Sequence, residues 1–68
     1  MSQSTYTVTG MTCEHCVASV TEEISEIAGV SAVDVELATG AVTVTSAGPL
    51  AEADVRGAVE EAGYQLAG

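Results

Sequence analysis

The chain has 68 residues, a formal net charge of −9, two cysteines and neither Phe nor Trp. At that length one domain, residues 1–68, is the expected count, and about 60% burial of the unfolded surface leaves one small core, which argues against an enzyme built on a deep pocket and a large cofactor. Ten acidic residues stand against the lone Arg56; such a field repels phosphate backbones and anionic headgroups, so neither nucleic acid nor membrane is an expected partner, and a positively charged protein is the electrostatic complement.

Thr5-Tyr6-Thr7-Val8-Thr9 reads as a first strand, β-branched and alternating, and Gly10 ends it. Met11-Thr12-Cys13-Glu14-His15-Cys16 follows as a loop leading into a helix that runs from Val17. There Val17, Val20, Ile24 and Ile27 form one apolar stripe, with Glu22, Glu23 and Glu26 off it. Gly29 sits where a helix ends on glycine.

Val33, Val35 and Leu37 alternate with Asp34 and Glu36 as a half-buried strand, and Val42 and Val44 return beside it after Ala38-Thr39-Gly40. Ser46-Ala47-Gly48-Pro49 breaks the pattern. Val55, Ala58, Val59 and Ala62 then mark a second helix, with Ala51 as a weak N-cap and Glu52 and Asp54 at its positive end. Gly57 weakens its interior and Gly63 closes it, leaving Tyr64-Gln65-Leu66 as a short last strand.

Strand, helix, strand, strand, helix, strand predicts an α+β, ferredoxin-like sandwich: a four-stranded antiparallel sheet with both helices on one face. That fold is too widely used to name a function. The N-terminus carries no basic or apolar leader and no stretch is long enough to span a membrane, so a soluble, cytoplasmic chain with reduced thiols is the expectation.

Cys13-x-x-Cys16 is the cluster of soft ligands, and a turn of two residues lets both sulfurs face one point. At a helix start the unpaired N–H groups and the positive dipole end favour thiolate, Cys16 most of all. Two thiolates and one imidazole cannot close a tetrahedral Zn(II) site within one chain, whereas Cu(I) is content with two sulfurs and stays open to a third. That open position invites transfer by ligand exchange, and also a second copy, so the metal-free chain is expected to be a monomer and copper to be able to bridge two chains.

Gly10-Met11-Thr12-Cys13-Glu14-His15-Cys16 resembles the GMTCxxC signature of heavy-metal-associated domains, and Ala62-Gly63-Tyr64 looks like the AGY segment of bacterial members. The resemblance runs from Tyr6 to about Leu66 and is strongest to the free-standing bacterial copper chaperones of that family. It implies Cu(I) held by Cys13 and Cys16, delivery to the metal-binding domain of a copper-exporting P-type ATPase, and in some members delivery to a copper-responsive repressor. Eukaryotic members place a Lys in the region of Tyr64, so tyrosine here fits the bacterial reading.

Met11 is read as a core plug beneath the loop rather than a thioether ligand. His15 is a third ligand, a positive neighbour that tunes the thiolates, or an exposed side chain turned away. Tyr64 packs under the loop while its hydroxyl reaches toward the sulfurs, and Thr12 caps or hydrogen-bonds the loop. The acids Glu22, Glu23, Glu26, Glu36, Glu60 and Glu61 are read as solvated faces, some of them a docking surface for a basic partner. The rival readings are a regulatory domain of a larger heavy-metal transporter, a mercury or zinc carrier, and a thiol–disulfide oxidoreductase.

Overall fold

The computed structural model describes residues 1–67. The elements follow the expected order: β1 (Ser2–Thr9), α1 (Glu14–Ser25), β2 (Val30–Glu36), β3 (Ala41–Ser46), α2 (Glu52–Glu61) and β4 (Gln65–Leu66). The strands form one antiparallel sheet in the order β2-β3-β1-β4, so each helix crosses over an intervening strand. This is the ferredoxin-like arrangement the alternation predicts.

The alternation sorts the sheet into two faces. Tyr6 and Val8 of β1 and Val42 and Val44 of β3 turn inward, where they meet Val20 and Ile24 of α1, Val55 and Val59 of α2, and Leu66 of β4. The opposite face is polar: Thr5 sits across from Thr43 and Gln3 across from Thr45, with side-chain hydrogen bonds of 3.4 Å in both pairs. The core is thus a layer of small β-branched side chains, as the shortage of aromatics requires.

Several boundaries differ from the sequence reading, each for a definite physical reason. β1 begins at Ser2 because Ser2, Gln3 and Ser4 pair with Ser46, Thr45 and Val44, a tertiary support that a polar run does not advertise. α1 begins at Glu14, not Val17, so Cys16 lies inside its first turn. It also stops at Ser25, and Ile27 reaches the core from the turn that follows. Leu37 falls in the β2–β3 turn, and Tyr64 lies just before β4 because its N–H is taken by the end of α2.

The directions of the strands place the chemistry. β1 runs toward the start of α1, and β2 and α2 run the same way, so the segment 10–13 and the segment 62–64 meet at one end of the molecule. The start of α2 lies at the other end.

Candidate metal centre

Cys13 is the N-cap of α1, with extended backbone at φ −156° and ψ 172° and no side-chain capping bond. Its carbonyl accepts from the Cys16 N–H at 3.0 Å and the Val17 N–H at 3.3 Å, which winds the first turn. That turn carries Cys16 back over Cys13. The two sulfurs stand 3.4 Å apart, both as free thiols, with Cys13 exposed and Cys16 half-buried.

The Cys16 thiol is drawn down to about 6. Hydrogen bonding from the Tyr64 hydroxyl contributes most, then the backbone of Thr12, then the Cys13 side chain, while partial desolvation pushes the other way. The Tyr64 hydroxyl is raised in turn, because its proton is held against that sulfur. The Cys16 thiol is therefore low, as expected, with the Tyr64 hydroxyl the largest cause and the backbone of Thr12 at the helix start the next. Thiolate is the form that grips a soft metal.

The remaining candidates are distributed around this pair. Thr12 is exposed, its hydroxyl 3.9 Å from the Cys16 sulfur, a loose contact in which its backbone matters more. Met11 is half-buried and packs on the core under the loop. Tyr64 is half-buried and packed on the same core, and its hydroxyl is the largest cause of the low Cys16 thiol. His15 is exposed on the first turn of α1, and among the described residues no group of three or more His, Cys, Asp or Glu is assembled for a metal ion. The sulfurs stand as a pair, open to solvent on one side.

The acidic residues gather elsewhere. Glu23 is half-buried, not solvated as its place off the stripe suggests, and its carboxyl is raised by Glu26 first, with Glu61 of α2 and Glu22 adding to it. Glu22, Glu23 and Glu26 of α1 thus share a negative field with Glu61 of α2. Sequence reading misses Gly10, against which the Tyr64 ring lies, and names Thr12 without the backbone contribution that it makes at Cys16. The Gly-Met-Thr run before the first cysteine was their only signal.

The heavy-metal-associated domain family matches residues 5–65. The chain is 43% identical over 68 residues to the copper chaperone CopZ of Bacillus subtilis (strain 168), covering 98% of this chain and 99% of that one. Among solved structures, a CopZ metallochaperone superposes with a TM-score of 0.90 at 34% identity, covering 97% of this chain and 100% of that chain. A copper binding domain from a P-type ATPase superposes with a TM-score of 0.89 at 30% identity, covering 98% and 92%.

Proposed function

The chain belongs to the heavy-metal-associated domain family, and from that premise we propose that it is a cytoplasmic Cu(I) chaperone, folded as one domain, that passes its ion to a copper-exporting P-type ATPase. Cys13 and Cys16 are the ligands. The observation that carries this reading is the sulfur pair itself: 3.4 Å apart, one thiol already low, and, among the described residues, no third His, Cys, Asp or Glu gathered beside it.

Each part of that arrangement suits a carrier. Two thiolates satisfy a soft monovalent ion, while a closed tetrahedral site for Zn(II) needs two further ligands. The N-cap position leaves the Cys13 sulfur exposed, so a partner thiolate can approach from the open side. Attack by that thiolate gives a three-sulfur intermediate, in which one new Cu–S bond has formed before an old one breaks. Cys13 and Cys16 then leave in turn, and the ion is never free in solution. The chemistry involves no change of oxidation state and no bond made or broken in an organic substrate, which is why the chain is read as a carrier and not an enzyme.

The likeness to an ATPase copper binding domain supports the choice of partner, since donor and acceptor would share one fold. The test is anaerobic competition of the reduced protein against a Cu(I) chelator, with Zn(II) run alongside. Stoichiometric Cu(I) capture with much weaker Zn(II) binding is expected; equal affinity for the two ions, or none for Cu(I), overturns the reading.

A further inference from the structure

The sheet has two outer edges, and the fold treats them differently. β2 forms one of them. A register shift between Val30 and Ala32 interrupts it, and Asp34 and Glu36 stand exposed along it, two of the devices that keep an edge strand from pairing further. At the other edge β4 covers only part of β1. It is two residues long and pairs with Val8 and Thr9, with one more bond from the Ala67 N–H to the Thr7 carbonyl at 2.7 Å. Over residues 2–6 no strand among those described lies along the outer side of β1.

The ladder identifies which groups this leaves open. The Val8 N–H donates to the Gly40 carbonyl on the β3 side at 2.8 Å, and Tyr6 and Ser4 stand in the same phase opposite Val42 and Val44. The odd-numbered residues face the other way, as the Thr7 carbonyl does toward Ala67. The backbone N–H and C=O of Gln3 and Thr5 are therefore turned to the open side. β1 carries no charged residue and no proline, and its register with β3 is unbroken from Ser2 to Thr7, so nothing on the strand itself guards that edge.

We propose that the open edge of β1 takes up an extended, Lys- or Arg-rich segment of a partner protein as a fifth strand. Charge selects the occupant. The chain carries −9 with a single basic residue, so a second copy brings like charge to the edge, whereas a basic segment is drawn to it. α2 crosses over β1, and its first turn, with Glu52 and Asp54 exposed, lies at the end of the sheet where β1 begins. That end is the one away from the sulfurs, since the strand runs about 17 Å from Thr5 to Gly10. A segment held there leaves Cys13 and Cys16 open, and its binding does not depend on metal.

The test uses the full, reduced, metal-free chain, with a short, end-capped peptide of alternating Lys and Thr as probe and amide hydrogen exchange followed by NMR. Saturating peptide is expected to slow exchange at Gln3 and Thr5 by about 10-fold or more, and to leave Val33 and Val35, the outward amides of β2, unchanged. A peptide of the same charge with N-methylated amides should bind about 10-fold more weakly or worse. Thr5→Pro should weaken the plain peptide similarly, because proline removes an outward N–H that the ladder with β3 does not use. A peptide with Glu in place of Lys should not bind, and added NaCl should weaken the Lys peptide. Equal binding by the plain and N-methylated peptides overturns the proposal, as does equal binding by the Lys and Glu peptides, or no binding at all. Protection at Gln3 and Thr5 that grows with the concentration of the chain alone, with a dimer in sedimentation, also overturns it and gives the edge to a second copy. Should Thr5→Pro fail to fold, the N-methylated peptide against the native chain decides.

Discussion

α1 and α2 both start from an extended N-cap residue whose side chain makes no capping bond, Cys13 in one and Ala51 in the other. In each, that residue's carbonyl accepts from the N–H groups three and four positions on, at 3.0 and 3.3 Å in α1 and at 3.0 and 3.5 Å in α2. The third residue of the first turn is an acid in both: the Cys16 thiol and the Asp54 carboxyl. α2 uses its acidic turn for the fold, with Glu52 paired to Arg56 at 3.2 Å. In α1 the same geometry sets two sulfurs 3.4 Å apart. A helix start is therefore a place where an anion is tolerated, and the surroundings decide what that anion does.

The largest effect that sharpens this contrast is Cys13→Ser. Copper capture should fall by more than about 100-fold, beyond the usual loss when only a neighbouring hydrogen-bond partner is removed. The helix should gain, because a serine hydroxyl can accept from a free first-turn N–H, an effect of about 1 kcal/mol. Chelator competition and thermal unfolding on the same sample read both. A variant that keeps native copper capture breaks the assignment of Cys13 as a ligand.

Next comes the transplant. Ala51 and Asp54 are both exposed, so Ala51→Cys with Asp54→Cys places a second Cys-x-x-Cys on a matching helix start, here in a chain carrying Cys13→Ser and Cys16→Ser. α2 is 10 residues long, which puts Tyr64 about 15 Å from that new pair. Copper capture should return but remain about 10–100-fold weaker than native, the usual cost of lost outer hydrogen bonds. Native-strength capture would mean that the helix start alone suffices.

A smaller effect isolates the phenol. In the native chain Cys16 should become alkylation-reactive through about pH 6, and Tyr64→Phe should move that midpoint upward, because the largest cause of the depression is gone. The sign for stability follows. A thiol depressed in the folded state stabilises the fold fully above the unfolded thiol range, near about 8.5, and that contribution is lost as pH falls through about 6. Unfolding measured across that window should show a shallower pH dependence in Tyr64→Phe; an unchanged slope and midpoint would remove Tyr64 from the account.

The same two helices show what sequence could and could not reveal. α2 was legible from its N-cap at Ala51 to its glycine stop, since acids in the first turn and a clean apolar stripe are the ordinary marks of a helix. The sequence pattern places the start of α1 three residues late, because Cys, Glu and His in succession carry no apolar period; only the carbonyl of Cys13 settles where the winding begins. That the two sulfurs would face each other was legible in their spacing. The AGY segment also points to Tyr64 beside the sulfurs, but not to its leading the other causes of the low Cys16 thiol, which depends on how α2 ends and how β4 pairs with β1.

The smallest change asks whether the two starts are equivalent as structure. Ala51→Ser gives α2 the hydroxyl that Cys13→Ser gives α1, at an exposed position with backbone already extended at φ −73° and ψ 133°. Both should stabilise by about 1 kcal/mol, raising the melting temperature by about 4–8 °C in a domain of this size. β1 leads into α1 and the antiparallel β3 leads toward α2, so the two starts lie at opposite ends of the sheet. Their gains should therefore add in the double variant. Copper capture should be untouched by Ala51→Ser alone. If serine stabilises α2 and leaves α1 unchanged, the loop before Cys13 is held by something other than its helix, and cysteine at the N-cap costs the fold nothing. Equal gains at both starts would instead mean that α1 gives up a cap to keep a sulfur exposed.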